Sequence, residues 1–408
     1  MSASNDWQTQ SLRQLATINY GRSPAGILAN DGDYPVVGTG GAERKGMDFL
    51  HDGDSIILGR KGTIDRVHFA TGRFWTIDTA YYLSGFGESI PRWLYYFLQT
   101  LDLRQMNEAT GVPSLSRELL YKIEIPTPPK PEQTKIAEIL STVDRAIEQT
   151  EALIAKQQRL KTGLMQDLLT RGIDANGNLR SESTHPFKDS PLGRIPVEWE
   201  VDRLESVAEF VTSGSRGWAQ YYATEGALFL RIGNLTRHHI NMRFDDVVWV
   251  NPPASSEGKR TSVMAGDLLI SITADLGIIG VIPEGFQEAY VNQHISLIRL
   301  IKTEVDPRFI GWFLGSRSGQ SQFEKLNESG AKAGLNLPTI KNLLVPQMKL
   351  EEQQRISLIL DASTQKASEF QQRLNKLHAL KTALMQDLLT GRNRVTPLLE
   401  ADQTSLEP

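Results

Sequence analysis

Cysteine is missing from this chain altogether. That excludes a disulfide framework and every thiolate metal site, and it suits a reducing compartment. Histidine is scarce, seven in 408 residues, and shows no metal-ligand spacing. Apolar runs are short, and none reaches the ~18 residues a membrane helix needs. The opening stretch "MSASNDWQTQ" has neither a basic nor an apolar segment, so no signal peptide is read and a cytoplasmic location is expected. A strong charge of one sign is lacking too: 44 Lys and Arg face 48 Asp and Glu. Contact with nucleic acid would therefore rest on local patches, not on the overall field.

What the chain does have is repetition. "LKTGLMQDLLT" starts at Leu160 and "LKTALMQDLLT" at Leu380; ten of eleven positions agree, 220 residues apart. "PEQTKIAEIL" at Pro131 matches "EEQQRISLIL" at Glu351 with the same offset. Upstream the matches loosen and the offset drifts. "DWQTQSLRQLA" near Trp7 resembles "EWEVDRLESVA" near Trp199, and "DGDSIILGRKG" at Asp52 resembles "AGDLLISITADLG" at Ala265. This is a tandem duplication whose helical parts kept their length while its globular parts diverged.

The helical parts carry a heptad-like seam of three- and four-residue steps. In the second copy it comprises Ile356, Leu360, Ala367, Phe370, Leu374, Leu377, Leu384 and Leu388. The matching residues are Ile136, Leu140, Ile147, Thr150, Ile154, Gln157, Leu164 and Leu168, with Thr150 and Gln157 as polar interruptions. Pro131 and Gly172 mark a start and a stop. About 40 residues at 1.5 Å rise give a rod of roughly 60 Å, whose simplest partner is the other rod. The last turns are broader than a two-stranded seam requires: Leu164, Met165, Leu168 and Leu169, repeated as Leu384, Met385, Leu388 and Leu389. Two readings stand for this face, packing on the chain's own globular domain or a docking surface for another protein.

The segments before each helix alternate short β-branched runs with glycines, then give a helix, "PRWLYYFLQTLDLRQM" or "PRFIGWFLGSRSGQSQF". The expected fold is α+β: two globular α+β domains joined by two long helices that pair as an antiparallel coiled coil. The expected segments are a first domain (1–130), a long helix (131–172), a Ser-, Gly-, Asn- and Pro-rich linker (173–198), a second domain (199–349), a second long helix (350–392) and a frayed polar tail (393–408).

Several motifs fall short of catalysis. "NPPA" at Asn251 resembles the Asn/Asp-Pro-Pro-aromatic tetrapeptide of amino-methyltransferases but lacks the aromatic that stacks on an extruded base. "GTGGAERKG" at Gly38 and "GRKGT" at Gly59 fit no phosphate-binding spacing. No catalytic residue and no metal ligand is assigned. What remains are basic and amide side chains near glycine-flanked turns, of the types that read bases or hold phosphates. The DNA-binding candidates are Arg44, Lys45, Arg60, Lys61 and Thr63 in the first half, and Arg216, Arg231, Asn234, Arg237, His238 and Lys332 in the second. Arg66, Arg73, His239, Lys259 and Arg260 belong to the same groups.

The order of these motifs, given twice, resembles the specificity subunit of Type I restriction–modification systems. The marks are "YPVVGTGG", "GDSIILGRKGT" and "GVPSLSRELLYKIEIPTPPKPEQTKI", then "IPVEWEVDRL", "GDLLISIT" and "LPTIKNLLVPQMKLEEQQRI". The resemblance implies two target-recognition domains, each reading half of a split site on double-stranded DNA. It implies docking of two modification (methyltransferase) subunits, which bind S-adenosylmethionine, and association with restriction subunits. No cofactor and no catalytic role would belong to this chain itself. The alternative is a scaffold that binds no DNA, with two divergent binding domains on a coiled-coil strut.

Overall fold

The computed structural model describes residues 7–214, 216–252, 256–328 and 334–404. It forms two compact units that are not successive segments of the chain. One runs to Ala152 and resumes at Gln372; the other is Leu153–Gln371. The two long helices, Lys130–Leu168 and Leu350–Leu388, therefore each contribute to both units.

The seam is more regular than the apolar pattern suggests. Ile136, Leu140, Val143, Ile147, Thr150, Ile154, Gln157, Lys161, Leu164 and Leu168 alternate steps of four and three, and all are buried or half-buried. Ile356, Leu360, Ser363, Ala367, Phe370, Leu374, Leu377, Lys381, Leu384 and Leu388 repeat this. A 3.5-residue average is the coiled-coil period. The polar interruptions are part of the seam. Thr150, 1% exposed, donates to the Ala146 carbonyl, and Gln157, 8% exposed, donates to Ser363 Oγ at 3.0 Å. The helices pair antiparallel in each unit. In the first, Asp144 meets Lys381 while the earlier Glu132 meets the later Arg394. In the second, Gln157 meets Ser363 while Glu352 accepts from the Ile173 amide.

Each unit carries the same pair of sheets. In the first, Thr17–Tyr20, Ala80–Ser84, Ser55–Gly59 and Val67–Ala70 form an antiparallel sheet in that spatial order. Beside it, Tyr34–Gly38 and Arg73–Thr76 pair in parallel, flanked by Gly41–Gly46 and His51–Asp52. The second unit repeats the first sheet as Ala208–Ser213, Ile295–Leu300, Leu268–Ser271 and Ile279–Val281. Its parallel pair is Ala227–Leu230 with Ala289–Val291. A helix opened by proline at its first turn, Pro91–Gln99 or Pro307–Gly315, fills each core with Trp93, Leu94 and Tyr96 or Phe309, Ile310 and Leu314, all 0% exposed. Each globular region is closed by pairing its first strand with its last, Gln8–Ser11 with Glu124–Thr127 and Glu200–Arg203 with Leu344–Gln347.

Two expected loops are structured. The linker contains a hairpin, Phe187–Ser190 with Gly193–Pro196, and buries Ile173 and Ile195. The tail is not frayed over its described part: Val395 is 1% exposed and Thr396–Thr404 is helical. Gly172 ends its helix with φ +63°, and a Cβ there would lie 2.4 Å from the Trp199 ring. Only glycine meets both demands.

A repeated glutamine fastens each long helix to its globular core. Gln133 Oε1 accepts from the Ile90 amide at 2.8 Å and its Nε2 donates to the Pro128 carbonyl at 2.9 Å. Gln353 does the same with the Asp306 amide and the Met348 carbonyl, at 2.9 and 3.0 Å. Both side chains are buried.

The repeated lysine is a seam residue in two settings. Lys381 Nζ lies 2.7 Å from Asp144 and 5.5 Å from the Tyr96 ring centroid. Lys161 Nζ lies 4.7 Å from the Trp312 centroid but donates to a main-chain oxygen, His238 O, at 2.6 Å. Burial pushes Lys161 down to about 8, against a partial upward pull from Asp361.

Two outcomes follow. Gln353→Ala leaves a buried amide and carbonyl unpaired and is expected to cost about 1–3 kcal/mol, read as a lower urea midpoint, while the exposed neighbour Gln354→Ala leaves it unchanged. For Lys161, the unfolded chain holds the proton up to the ordinary value of 10.5, while the folded protein releases it near 8. Stability contributed by this residue therefore rises with pH across that window. Lys161→Met removes this rise, so its stability relative to the native protein should fall between pH 7 and pH 10.

Candidate nucleic-acid interface

Three turns of the first unit meet at one end of its antiparallel sheet. They follow Tyr20, follow Gly59, and precede Ala80. Gly59 is required here, because a Cβ would lie 2.0 Å from the Thr63 carbonyl oxygen. The Arg60 and Lys61 amides both donate to the Thr79 carbonyl, at 2.9 and 3.1 Å, and the Gly62 amide donates to Pro113 O at 2.9 Å. The Arg60 carbonyl accepts from Leu115 N at 3.0 Å. Tyr81 braces the same loop by donating to the Leu115 carbonyl at 3.1 Å, and burial raises its pKa so that the phenol stays a donor.

On this backbone sits a cationic aromatic cluster. Tyr20 is 47% exposed. The Arg60 and Arg117 guanidinium carbons lie 5.3 and 5.0 Å from its ring centroid. Arg60 Nη1 also donates to the Asp78 carbonyl at 2.9 Å, which fixes the fork. Lys61 and Thr63 are exposed beside it. Arg44 and Lys45 lie apart on the exposed strand Gly41–Gly46, opposite Val36 and Pro35. The glycines around them shape a hairpin turn. Arg73 is tied to Asp52.

The second unit keeps the backbone and changes the side chains. Gly21 N donates to Ala80 O, and Gly214 N to Ile295 O. Arg60 N donates to Thr79 O, and Ile272 N to His294 O; Leu115 N donates to Arg60 O, and Leu335 N to Ile272 O. Main-chain bonding thus equates Arg60 with Ile272, one residue away from the match the sequence suggests. Tyr20 becomes Ser213, and Thr79 becomes His294, whose ring nitrogens meet Thr273 Oγ1 at 2.6 Å and Gln293 Nε2 at 3.0 Å. Ala274, between these turns, holds a positive φ of 59°.

The sequence candidates of this unit separate accordingly. Arg216 is exposed just beyond Gly214, and His238 is exposed as well. Arg260 is anchored to Thr212 and the Ser213 carbonyl at the same sheet end. Arg231 is paired with Asp246 at 2.7 Å, and Arg237 with Asp275. Asn234, one of the DNA-binding candidates, is turned into the protein. It is 2% exposed; its oxygen accepts from Arg231 N and its nitrogen donates to the Arg243 and Asp246 carbonyls. Lys332 lies outside the described residues, as do Pro253 and Ala254 of "NPPA". Among the described residues, no group of three or more His, Asp or Glu is placed to hold a metal. Sequence reasoning missed Tyr20, Arg117 and His294. Tyr20 and His294 stand at strand ends, and Arg117 opens the short helix Arg117–Tyr121; residue type alone does not single out any of them.

The apolar last turns prove to be core. Leu168 and Leu169 are 5% and 2% exposed in the second unit's core, with Leu164 and Met165 packed against it. Leu388 and Leu389, 7% and 1% exposed, do the same in the first unit, with Leu384 and Met385. Leu168, Leu169, Leu388 and Leu389 are closed off by the chain itself, while Leu164, Met165, Leu384 and Met385 are half-buried, so packing on the chain's own core covers most of this face. Other positions of the repeated stretch stay open. Leu160 and Leu380 are 50% and 47% exposed, and Thr162, Gln166, Thr382 and Gln386 are exposed too.

Comparison with known proteins converges on one family. The model for the Type I restriction modification DNA specificity domain matches residues 4–157 and 196–379. The chain is similar to the Type I restriction enzyme MjaVIII specificity subunit of Methanocaldococcus jannaschii, 24% identical over 75% of this chain and 71% of that one. It is 22% identical to the EcoBI specificity subunit of Escherichia coli over 72% of this chain and 63% of that one. In fold it resembles the crystal structure of a Type I restriction–modification S subunit from M. genitalium, with a TM-score of 0.67 at 17% identity, covering 94% of this chain and 96% of that one. No helix among the described residues is long and apolar enough to cross a membrane.

Proposed function

Because this chain belongs to the family of Type I restriction–modification DNA specificity subunits, we propose that each of its two units reads one half of a bipartite site on double-stranded DNA. One observation carries this reading: the same main-chain hydrogen bonds hold different side chains at the same sheet end in both units. A shared backbone gives one mode of approach to the duplex. Different side chains give two unlike half-sites.

The chemistry is done elsewhere. Two modification subunits, carrying S-adenosylmethionine, methylate the halves, restriction subunits join that core, and the complex works in the cytoplasm. Packing within the chain accounts for the repeated Lys, the Met and the last three Leu of "LKTxLMQDLL" but not for its exposed positions, the first Leu among them. Identity at Leu160, Thr162 and Gln166 with Leu380, Thr382 and Gln386 fits two equivalent external neighbours. We place the docking of the two modification subunits there. Helix length then sets the unread spacer between half-sites.

Two measurements test this. Binding of the assembled complex to random-sequence DNA should weaken steeply with salt, and Lys61→Ala should reduce the logarithmic slope by about 1; a flat slope supports a scaffold instead. Inserting a heptad into each helix, after Gln157 and opposite it before Ser363, adds about 10 Å of rise. Mapping of methylated sites should show the spacer lengthened by about three base pairs at ~3.4 Å each, with both half-sites unchanged. An unchanged spacer refutes the role of the helices.

A further inference from the structure

The matched backbones of the two units isolate the positions at which their reading ends differ. Where the first has Tyr20, Arg60, Thr79 and Tyr81, the second has Ser213, Ile272, His294 and Ser296. At the second of these positions, one unit presents a guanidinium and the other a side chain that is only 6% exposed. Among the first unit's candidates Arg73 is held, but its guanidinium is spent on a carboxylate, Asp52, at 3.0 Å and lies over Phe49. Arg44, Lys45 and Lys61 are exposed and make no ion pair among the described residues. They suit phosphates, which need charge but little orientation. Arg60 is held at both ends. Its backbone is bonded to Thr79 and Leu115, and its guanidinium lies beside Tyr20 with Nη1 on the Asp78 carbonyl at 2.9 Å. An orientation set in advance suits a planar, two-pronged partner, because little rotamer freedom is left to lose on contact.

We infer that Arg60 is a specificity-determining residue, which reads a guanine in the half-site of the first unit through its O6 and N7 while Tyr20 holds the fork in plane. The inference rests on the DNA-reading role proposed above and adds a base to it. Guanine is the one base that offers two acceptors side by side in the major groove, and a fixed guanidinium offers two donors at the same spacing. Arg117, on the same ring at 5.0 Å, acts as a positioning residue that keeps Tyr20 and Arg60 in place. The second unit cannot make this contact, since Ile272 stands in its place.

The test uses the full complex with its modification subunits and a library of randomised DNA, sequenced for methylation. The native complex should yield a bipartite motif with an invariant guanine in one half. Arg60→Ala should relax that one position by roughly tenfold or more and leave the other half-site intact. Arg60→Lys keeps the charge and the stem but loses the fork. It should relax the same position while binding to random DNA keeps its salt slope, which separates lost reading from lost folding. Absence of guanine from both half-sites of the native motif overturns the inference, as does a guanine preference that survives both substitutions. If the native complex shows neither a motif nor salt-dependent binding, the DNA-reading role itself fails.

Discussion

The constraint on which this structure depends is the burial of two heptad seams that neither helix can bury alone. A 39-residue amphipathic helix exposes too much apolar surface to stand in water by itself. Antiparallel pairing removes that surface, and the two buried glutamines fix where each globular core meets its rod. Polar residues at the seam are tolerated because each has a partner: Gln157 has Ser363, Thr150 has its own helix, and Lys381 has Asp144. Lys161 makes no ion pair among the described residues; its ammonium lies over the Trp312 ring and donates to the His238 carbonyl.

Much of this was legible in the sequence, for a physical reason. Packing constrains residue type at fixed spacing, so the seam shows as a period and the duplication shows as identity. Ser363 and the two lysines escaped because serine and lysine are polar by type although buried or half-buried by place, and Val143 escaped because its counterpart 220 residues on is Ser363. The broad leucine face of the last turns left two readings open. Width alone cannot tell whether a protein's own core or a neighbour covers it.

The reading end was legible only in part. "GRKGT" betrayed a turn rich in cations, since Gly59 and the bases are contiguous. Tyr20 and Arg117 reach that turn from far along the chain, and no local pattern announces such a meeting. Asn234 shows the opposite failure. Its residue type suits adenine, but its place inside a turn buries it and engages its oxygen and both amide protons. Where the backbone is held constant by duplication, comparing the two units position by position is more informative than residue type.

The interleaving of the chain has a consequence for synthesis. The unit Leu153–Gln371 is one uninterrupted segment, so it can close as soon as its last residues leave the ribosome. The other unit begins first and finishes last. Its core waits for Leu388, Leu389 and Val395, and its seam waits for Leu374. Until then the nascent first domain carries an uncovered apolar rod, which is a hazard for aggregation and a reason for chaperone attention. In this protein the order of translation and the order of completion run in opposite directions.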